Sequence, residues 1–182
     1  MNLNINFTIL APEILLTLLA FVIIILGLLI SDKSKNMLGY LSAAGIFASF
    51  AYVIGNGMVE KVSYFYDSLV VDPLSQVFKL IFLIVSLIAV IASIEYFKDN
   101  RNQDEYYALI LLSTVGMMVV ASANDLIALF VGFELASMST YVLAGFEKKN
   151  PASLEAALKY FIIGSLSSAL MLFGMSLIYG IT

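Results

Sequence analysis

The chain has 182 residues, of which 62% are hydrophobic and only 12% charged, with a formal net charge of −4. A water-soluble domain is closer to half apolar and about a quarter charged. The excess therefore demands a lipid-facing surface and leaves no room for a separate soluble module, and no dense basic run suggests nucleic acid. Cysteine and histidine are both absent, which excludes disulfides, thiolate metal sites, iron–sulfur ligation and the usual near-neutral proton carrier.

Six apolar segments follow one another. The first runs from about Ile9 to Ile30; residues 1–8 lack Lys and Arg, so a retained membrane helix is expected there and not a cleaved leader. The second runs from about Met37 to Gly55, the third from about Asp72 to Phe97 and the fourth, the shortest, from about Tyr106 to Ala121. The fifth runs from about Asp125 to Phe146 and the sixth from about Ala152 to Tyr179. At about 1.5 Å per residue each spans, or nearly spans, a hydrocarbon core about 30 Å thick. Only a helix satisfies its own backbone groups there without partner strands. The expected fold is all-α: one polytopic membrane domain over 1–182 with six transmembrane helices.

The links are short and polar. Asn124 is read as the N-cap of the fifth helix, with Asp125 favoured by the positive helix end. Asn150 as cap and Pro151 as first helical residue fit the start of the sixth. The longer 56–71 link carries Tyr64, Phe65 and Tyr66, which suit a membrane interface. If the N-terminus lies outside, the inner links carry Lys33, Lys35, Lys98, Arg101, Lys148 and Lys149, whereas the outer links carry only Lys61. That asymmetry supports both the helix count and an outside N-terminus.

Charges inside a bilayer cost about 2.5–3.5 kcal/mol each on insertion scales and mark interior or ion-conducting positions. Glu134 lies near the middle of the fifth segment, in Phe133-Glu134-Leu135-Ala136-Ser137-Met138, too deep for a short acid to reach water. Its helical face includes Ser137, Tyr141 and Gly145. Such a carboxyl exchanges a proton, pairs with a lysine, or stays neutral against neighbouring hydroxyls. Lys159 lies in the sixth segment, about 10 Å from its inner end. It either exchanges protons once desolvated, or snorkels and pairs with Glu155 one turn below. Ser165, Ser167 and Ser168 lie higher and spread around that helix, so they do not extend the Lys159 face.

Lys79 shares a polar stripe with Asp72, Ser75, Ser86 and Ser93 on the third helix. It is either part of a polar path or a side chain reaching out to Asp72. Glu95, Asp125 and Glu13 are read as interfacial or structural. A five-residue link makes helices five and six antiparallel neighbours, and straight-helix depths put Glu134 and Lys159 roughly 7 Å apart along the axis. A buried pair acting as a protonation switch is therefore expected. No dinucleotide-binding glycine pattern, P-loop, zinc-binding helix motif or nucleophile elbow is present.

Three stretches carry a resemblance: Tyr106 to Asp125 (YYALILLSTVGMMVVASAND), Leu126 to Phe146 (LIALFVGFELASMSTYVLAGF) and Ser153 to Gly180 (SLEAALKYFIIGSLSSALMLFGMSLIYG). Pro12-Glu13-Ile14, Val71-Asp72-Pro73 and Phe78-Lys79 add to it. The chain resembles the N-type antiporter-like membrane subunit of respiratory complex I, the proton-pumping NADH:quinone oxidoreductase. Residues 1–105 then hold helices one to three, and 106–182 the first part of the antiporter-like repeat. The likeness implies that Glu134 belongs to a proton half-channel, that Lys159 has a part in the path, and that the chain itself carries no redox centre, cofactor or metal. NADH, flavin, iron–sulfur clusters and quinone are expected in other subunits.

Expected partners are the other membrane subunits and the lipid bilayer, with no nucleic acid and no soluble substrate. The expected location is a bacterial or archaeal cell membrane in preference to a mitochondrial one. Family members have about fourteen helices in two inverted repeats with broken helices, so this sequence is read as a fragment or a split subunit lacking the broken seventh helix and its lysine. Alternatives remain: a related cation/proton antiporter or membrane hydrogenase subunit, a scaffold whose buried charges only hold helices together, or a deazaflavin in place of NADH as donor.

Overall fold

The computed structural model describes residues 10–31, 34–57, 60–98 and 101–181. Six helices are long and apolar enough to cross a membrane. They are α1 (Ala11–Leu29), α2 (Asn36–Gly55), α3 (Pro73–Tyr96), α4 (Gln103–Ser122), α5 (Leu126–Ala144) and α6 (Pro151–Ile181). Their limits agree with the hydropathy reading to within a few residues.

A short antiparallel hairpin departs from the all-helical expectation. Strands β1 (Val62–Tyr64) and β2 (Leu69–Val71) pair Val62 with Val71 and Tyr64 with Leu69. Three successive non-glycine residues at its tip, Phe65, Tyr66 and Asp67, have φ of 52°, 56° and 68°. A strained left-handed turn of this kind persists only where its surroundings hold it. Here the α4–α5 link does so: the Asn124 backbone N–H donates to Ser68 O at 2.9 Å, and its side-chain amide donates to Asp67 O at 2.8 Å. Asn124 is thus a hairpin anchor and not the cap. Asp125 caps α5, accepting from the Ala128 N–H at 2.6 Å. Tyr64, expected at the interface, is buried against Leu10 and Val71 because strand pairing turns it inward.

Helices α1 to α4 form the core. Leu16, Ala20 and Ile23 of α1, Leu38 and Ile46 of α2, Leu83 and Val90 of α3, and Leu111, Val115 and Met118 of α4 pack into one cluster. Helix α4 is its centre, touching α1, α2, α3 and α5. It begins at Gln103, before the apolar run, because its first turn is buried among neighbours. Asp104 there meets Lys35 at 3.1 Å, both nearly inaccessible, although both belong to the short polar links of the sequence. Gly27 of α1 leaves the space that the Asp104 side chain fills.

The expected polar stripe of α3 is present, and it faces the core: Ser75, Lys79, Ser86 and Ser93 are all buried. Ser86 and Thr114 share a hydroxyl contact of 2.5 Å between α3 and α4. Lys79 turns away from Asp72 and meets Glu13 of α1 at 2.5 Å, with side chains 2% and 9% exposed. Asp72 instead closes a capping box with Ser75 at the start of α3.

Removing one partner from a buried pair leaves an uncompensated charge, worth about 3–5 kcal/mol. Lys79→Met or Glu13→Leu is expected to lower thermal stability in detergent sharply, and the double variant to recover most of that loss. The Asp125 carboxyl is held below its ordinary range by the Ser68 hydroxyl and the Ala128 N–H. A folded-state value below the unfolded one gives stability that is complete above about pH 4 and is lost as pH falls through the lower, folded value. Hydrogen exchange at the Asn124 amide should therefore accelerate in that acidic window, and Asp125→Asn should flatten the dependence.

Candidate functional site

In a membrane, helices associate through close backbone approach, hydrogen bonds and lipid entropy, with little hydrophobic drive between them. Helix α5 is placed in this way. A Cβ at Gly116 of α4 would lie 2.5 Å from Ala136 N and 2.8 Å from Gly132 O, and one at Gly132 would lie 3.0 Å from Val120 N. Only glycine permits that contact. Gly132 and Ala136 therefore face α4, and Glu134, two residues from each, points the other way at about 100° per residue.

That other side meets α6. A Cβ at Gly145 would touch Ala157, and Gly164 leaves the space occupied by the Tyr141 ring. Tyr141 packs edge-on against Tyr160 at 4.8 Å and Phe161 at 5.9 Å. Further along the same line, the Ser168 hydroxyl donates to the Glu134 carboxylate in a short hydrogen bond. The face read from sequence, Glu134, Tyr141 and Gly145, is the face that packs on α6. Glu134 sits half-buried at the ninth of the nineteen residues of α5.

The structure does not bring Glu134 and Lys159 together. The successive contacts 145 with 157, 141 with 160 and 164, and 134 with 168 set the antiparallel register. In that register Lys159 lies level with the last residues of α5, roughly nine positions, or about 13 Å, from Glu134. Depths measured from helix ends misled because α6 begins well beyond the end of α5. Lys159 is exposed and pairs with Glu155 at 2.5 Å, the alternative seen in the sequence. Ser168, set aside at that point, is buried and holds the acid. A serine opposite a mid-helix acid on the neighbouring helix is the available signal, and reading it needs the register of the two helices.

Lys79 lies elsewhere, in the α1–α4 bundle with Glu13. Both Glu13 carboxylate oxygens and the Lys79 ammonium are buried without a hydrogen bond of good geometry, so only their mutual charge compensates them. Among the described residues no group of three or more His, Cys, Asp or Glu is arranged to hold a metal.

A hydroxyl donating to a half-buried carboxylate is a charge-assisted bond, worth about 1.5–3 kcal/mol. Glu134→Gln and Ser168→Ala are expected to couple by more than about 1 kcal/mol in a double-mutant cycle on thermal stability. Glu134→Gln with Lys159→Met should be additive, since those side chains share no partner.

The chain is similar to several known membrane proteins. Residues 123–182 match the family described as NADH:quinone oxidoreductase/Mrp antiporter, transmembrane. The chain is 51% identical over 180 residues to the F(420)H(2) dehydrogenase subunit N of Methanosarcina mazei, covering 95% of this chain and 36% of the relative. It is 43% identical over 181 residues to the NADH-quinone oxidoreductase subunit N of Trichlorobacter lovleyi, covering 98% and 37%. Among solved structures it superposes on respiratory complex I from Thermus thermophilus with a TM-score of 0.78 at 27% identity, over 94% of this chain and 37% of that one. It also shares the fold of the membrane-bound sulfane sulfur reductase, an archaeal respiratory membrane complex, with a TM-score of 0.74 at 24% identity. The chain spans about a third of the length of the curated relatives it matches. In sequence and in fold nearly the whole chain is therefore similar to about a third of these subunit N proteins and of a membrane subunit of respiratory complex I.

Proposed function

We propose that this chain contributes the first half of a proton-translocating unit to a membrane-bound quinone-reducing complex of the complex I type, in a bacterial or archaeal cell membrane. The observation that carries the reading is Glu134: an acid at mid-helix, turned from the α4 contact into the α5–α6 seam, with a single hydroxyl as its described partner. A carboxylate with a fixed cationic partner stays ionised. Glu134 instead meets a hydroxyl, which can both donate and accept, the kind of neighbour a proton-carrying group needs.

In this reading Glu134 takes up and releases the proton, and Ser168 holds the carboxylate and passes the proton along, since a hydroxyl both donates and accepts. Lys159, at the cation-rich end of α6 with Glu155, serves the entrance to the path and not the exchange step. Lys79 and Glu13 fasten α1 to α3, and we assign them no place in the path. Electron transfer and its flavin, iron–sulfur clusters and quinone belong to other subunits, and coupling reaches this unit at a distance.

A second reading concerns the donor alone. The relative that is 51% identical is named as an F(420)H(2) dehydrogenase subunit, which favours a reduced deazaflavin over NADH. Membrane vesicles offered each donor in turn will separate the two, because only the physiological one drives quinone reduction.

In the intact complex, Glu134→Gln should reduce the protons pumped per electron pair at least severalfold while leaving electron transfer to a soluble acceptor unchanged. Undiminished pumping would count against the role. Lys159→Met should slow pumping with a smaller effect on its stoichiometry.

A further inference from the structure

At the cation-rich end of the bundle, remote from Glu134, an open pocket of about 870 Å³ lies between the turn that leads into α4 and the α5–α6 link with the first residue of α6. Arg101, Lys148 and Lys149 bring three cations to its lining, and Glu147 brings one carboxylate. That carboxylate is already occupied: Tyr96 Oη donates to one oxygen at 3.1 Å and Asn150 Nδ2 to the other at 3.2 Å. Lys148 reaches Glu105 at 3.3 Å, but both side chains remain more than half exposed, at 65% and 51%. Lys149 is exposed and makes no ion pair among the described residues. The start of α6 opens here with no acidic residue in its first turn, so its positive end is not offset by its own side chains.

Beside this pocket runs a second, of about 350 Å³, lined by Phe97, Tyr106, Leu143 and Ala144; the two share Phe146 and Glu147. The rings of Phe97, Tyr106 and Phe146 form one cluster with centroids 4.1–5.5 Å apart. Tyr96 at 73% exposure and Val142 at 54% continue this apolar side onto the outer surface of the helices. A cationic cup at the helix ends, joined to an aromatic groove that opens onto the lipid-facing surface, has the polarity profile of a phospholipid: anionic head above, acyl chain below.

We propose that this pocket binds the phosphate headgroup of an anionic membrane lipid, with Lys149, Lys148 and Arg101 around the phosphate and an acyl chain along the Tyr106–Leu143 groove. The inference is independent of the proton-transfer reading. A free phosphate would satisfy the cations but would leave the aromatic groove unused, so the lipid is the better occupant.

The test is native mass spectrometry of the full chain in neutral detergent, titrated in parallel with phosphatidylglycerol, phosphatidylcholine and inorganic phosphate. Phosphatidylglycerol should bind at least tenfold more tightly than phosphatidylcholine, and inorganic phosphate should not displace it. Each surface cation is worth about fivefold in affinity for anionic lipid. Lys149→Gln should therefore weaken phosphatidylglycerol about fivefold and Lys148→Gln with Lys149→Gln about 25-fold. Lys149→Arg should restore binding, which separates lost charge from lost fold, and Lys61→Gln on the opposite side should have no effect. Equal binding of the two lipids, an unaltered affinity in the double glutamine variant, or equal binding of free phosphate would each overturn the proposal.

Discussion

Lipid offers no hydrogen bonds, so polar groups in this bundle must find their partners within the protein. That constraint arranges α1 to α4 with their hydrocarbon outward and their polar groups inward. Ser42 and Ser49 of α2 return their hydroxyls to carbonyls one turn earlier, at 2.8 and 3.0 Å. Ser86 and Thr114 join α3 to α4. Among the described residues two buried ion pairs lie toward opposite ends of the bundle: Glu13 with Lys79 toward one, Lys35 with Asp104 toward the other. Buried pairs of this kind add little net stability. They do make any other register of the helices costly, because a slip by one residue would strand a charge in hydrocarbon.

The same constraint explains why the helix carrying Glu134 is where it is. Helix α4 is held on three sides by α1, α2 and α3 and offers its fourth to α5 through Gly116. Two backbones in contact at glycine and alanine cannot rotate past one another without losing that approach. With Gly132 and Ala136 turned to α4, the acid two residues away from each has no choice of direction. A rigid scaffold thus delivers a titratable group to the seam with α6, and catalytic or transport groups depend on such fixed support.

The charges of α5 and α6 then divide by environment. Lys159 and Glu155 neutralise one another on an exposed face, with the acid on the N-terminal side of the lysine, the favourable order within a helix. Glu134 has a neutral partner, Ser168, in the seam with α6. One arrangement pairs two charges on an exposed helix face; the other sets an acid against a hydroxyl between two helices. That contrast, and not depth in the membrane alone, separates the two candidates that looked alike in the sequence.

Hydropathy alone determined the six helices and nearly all their limits, because about twenty apolar residues in a row have one stable form in lipid. It also singled out Glu134 and the polar stripe of α3, since a charged or hydroxyl side chain at mid-membrane must face protein. Composition also marked Asn150 and Pro151 as the start of α6, where local capping chemistry decides. Partnership was beyond it. Lys79 found Glu13, Asp104 found Lys35, and Glu134 found Ser168 in place of Lys159, each across dozens of residues. Periodicity reports which face a side chain occupies, but the axial offset between two helices depends on where small residues let the backbones touch. Gly145 against Ala157 and Gly164 under Tyr141 set that offset for α5 and α6, and only the packed structure decided it.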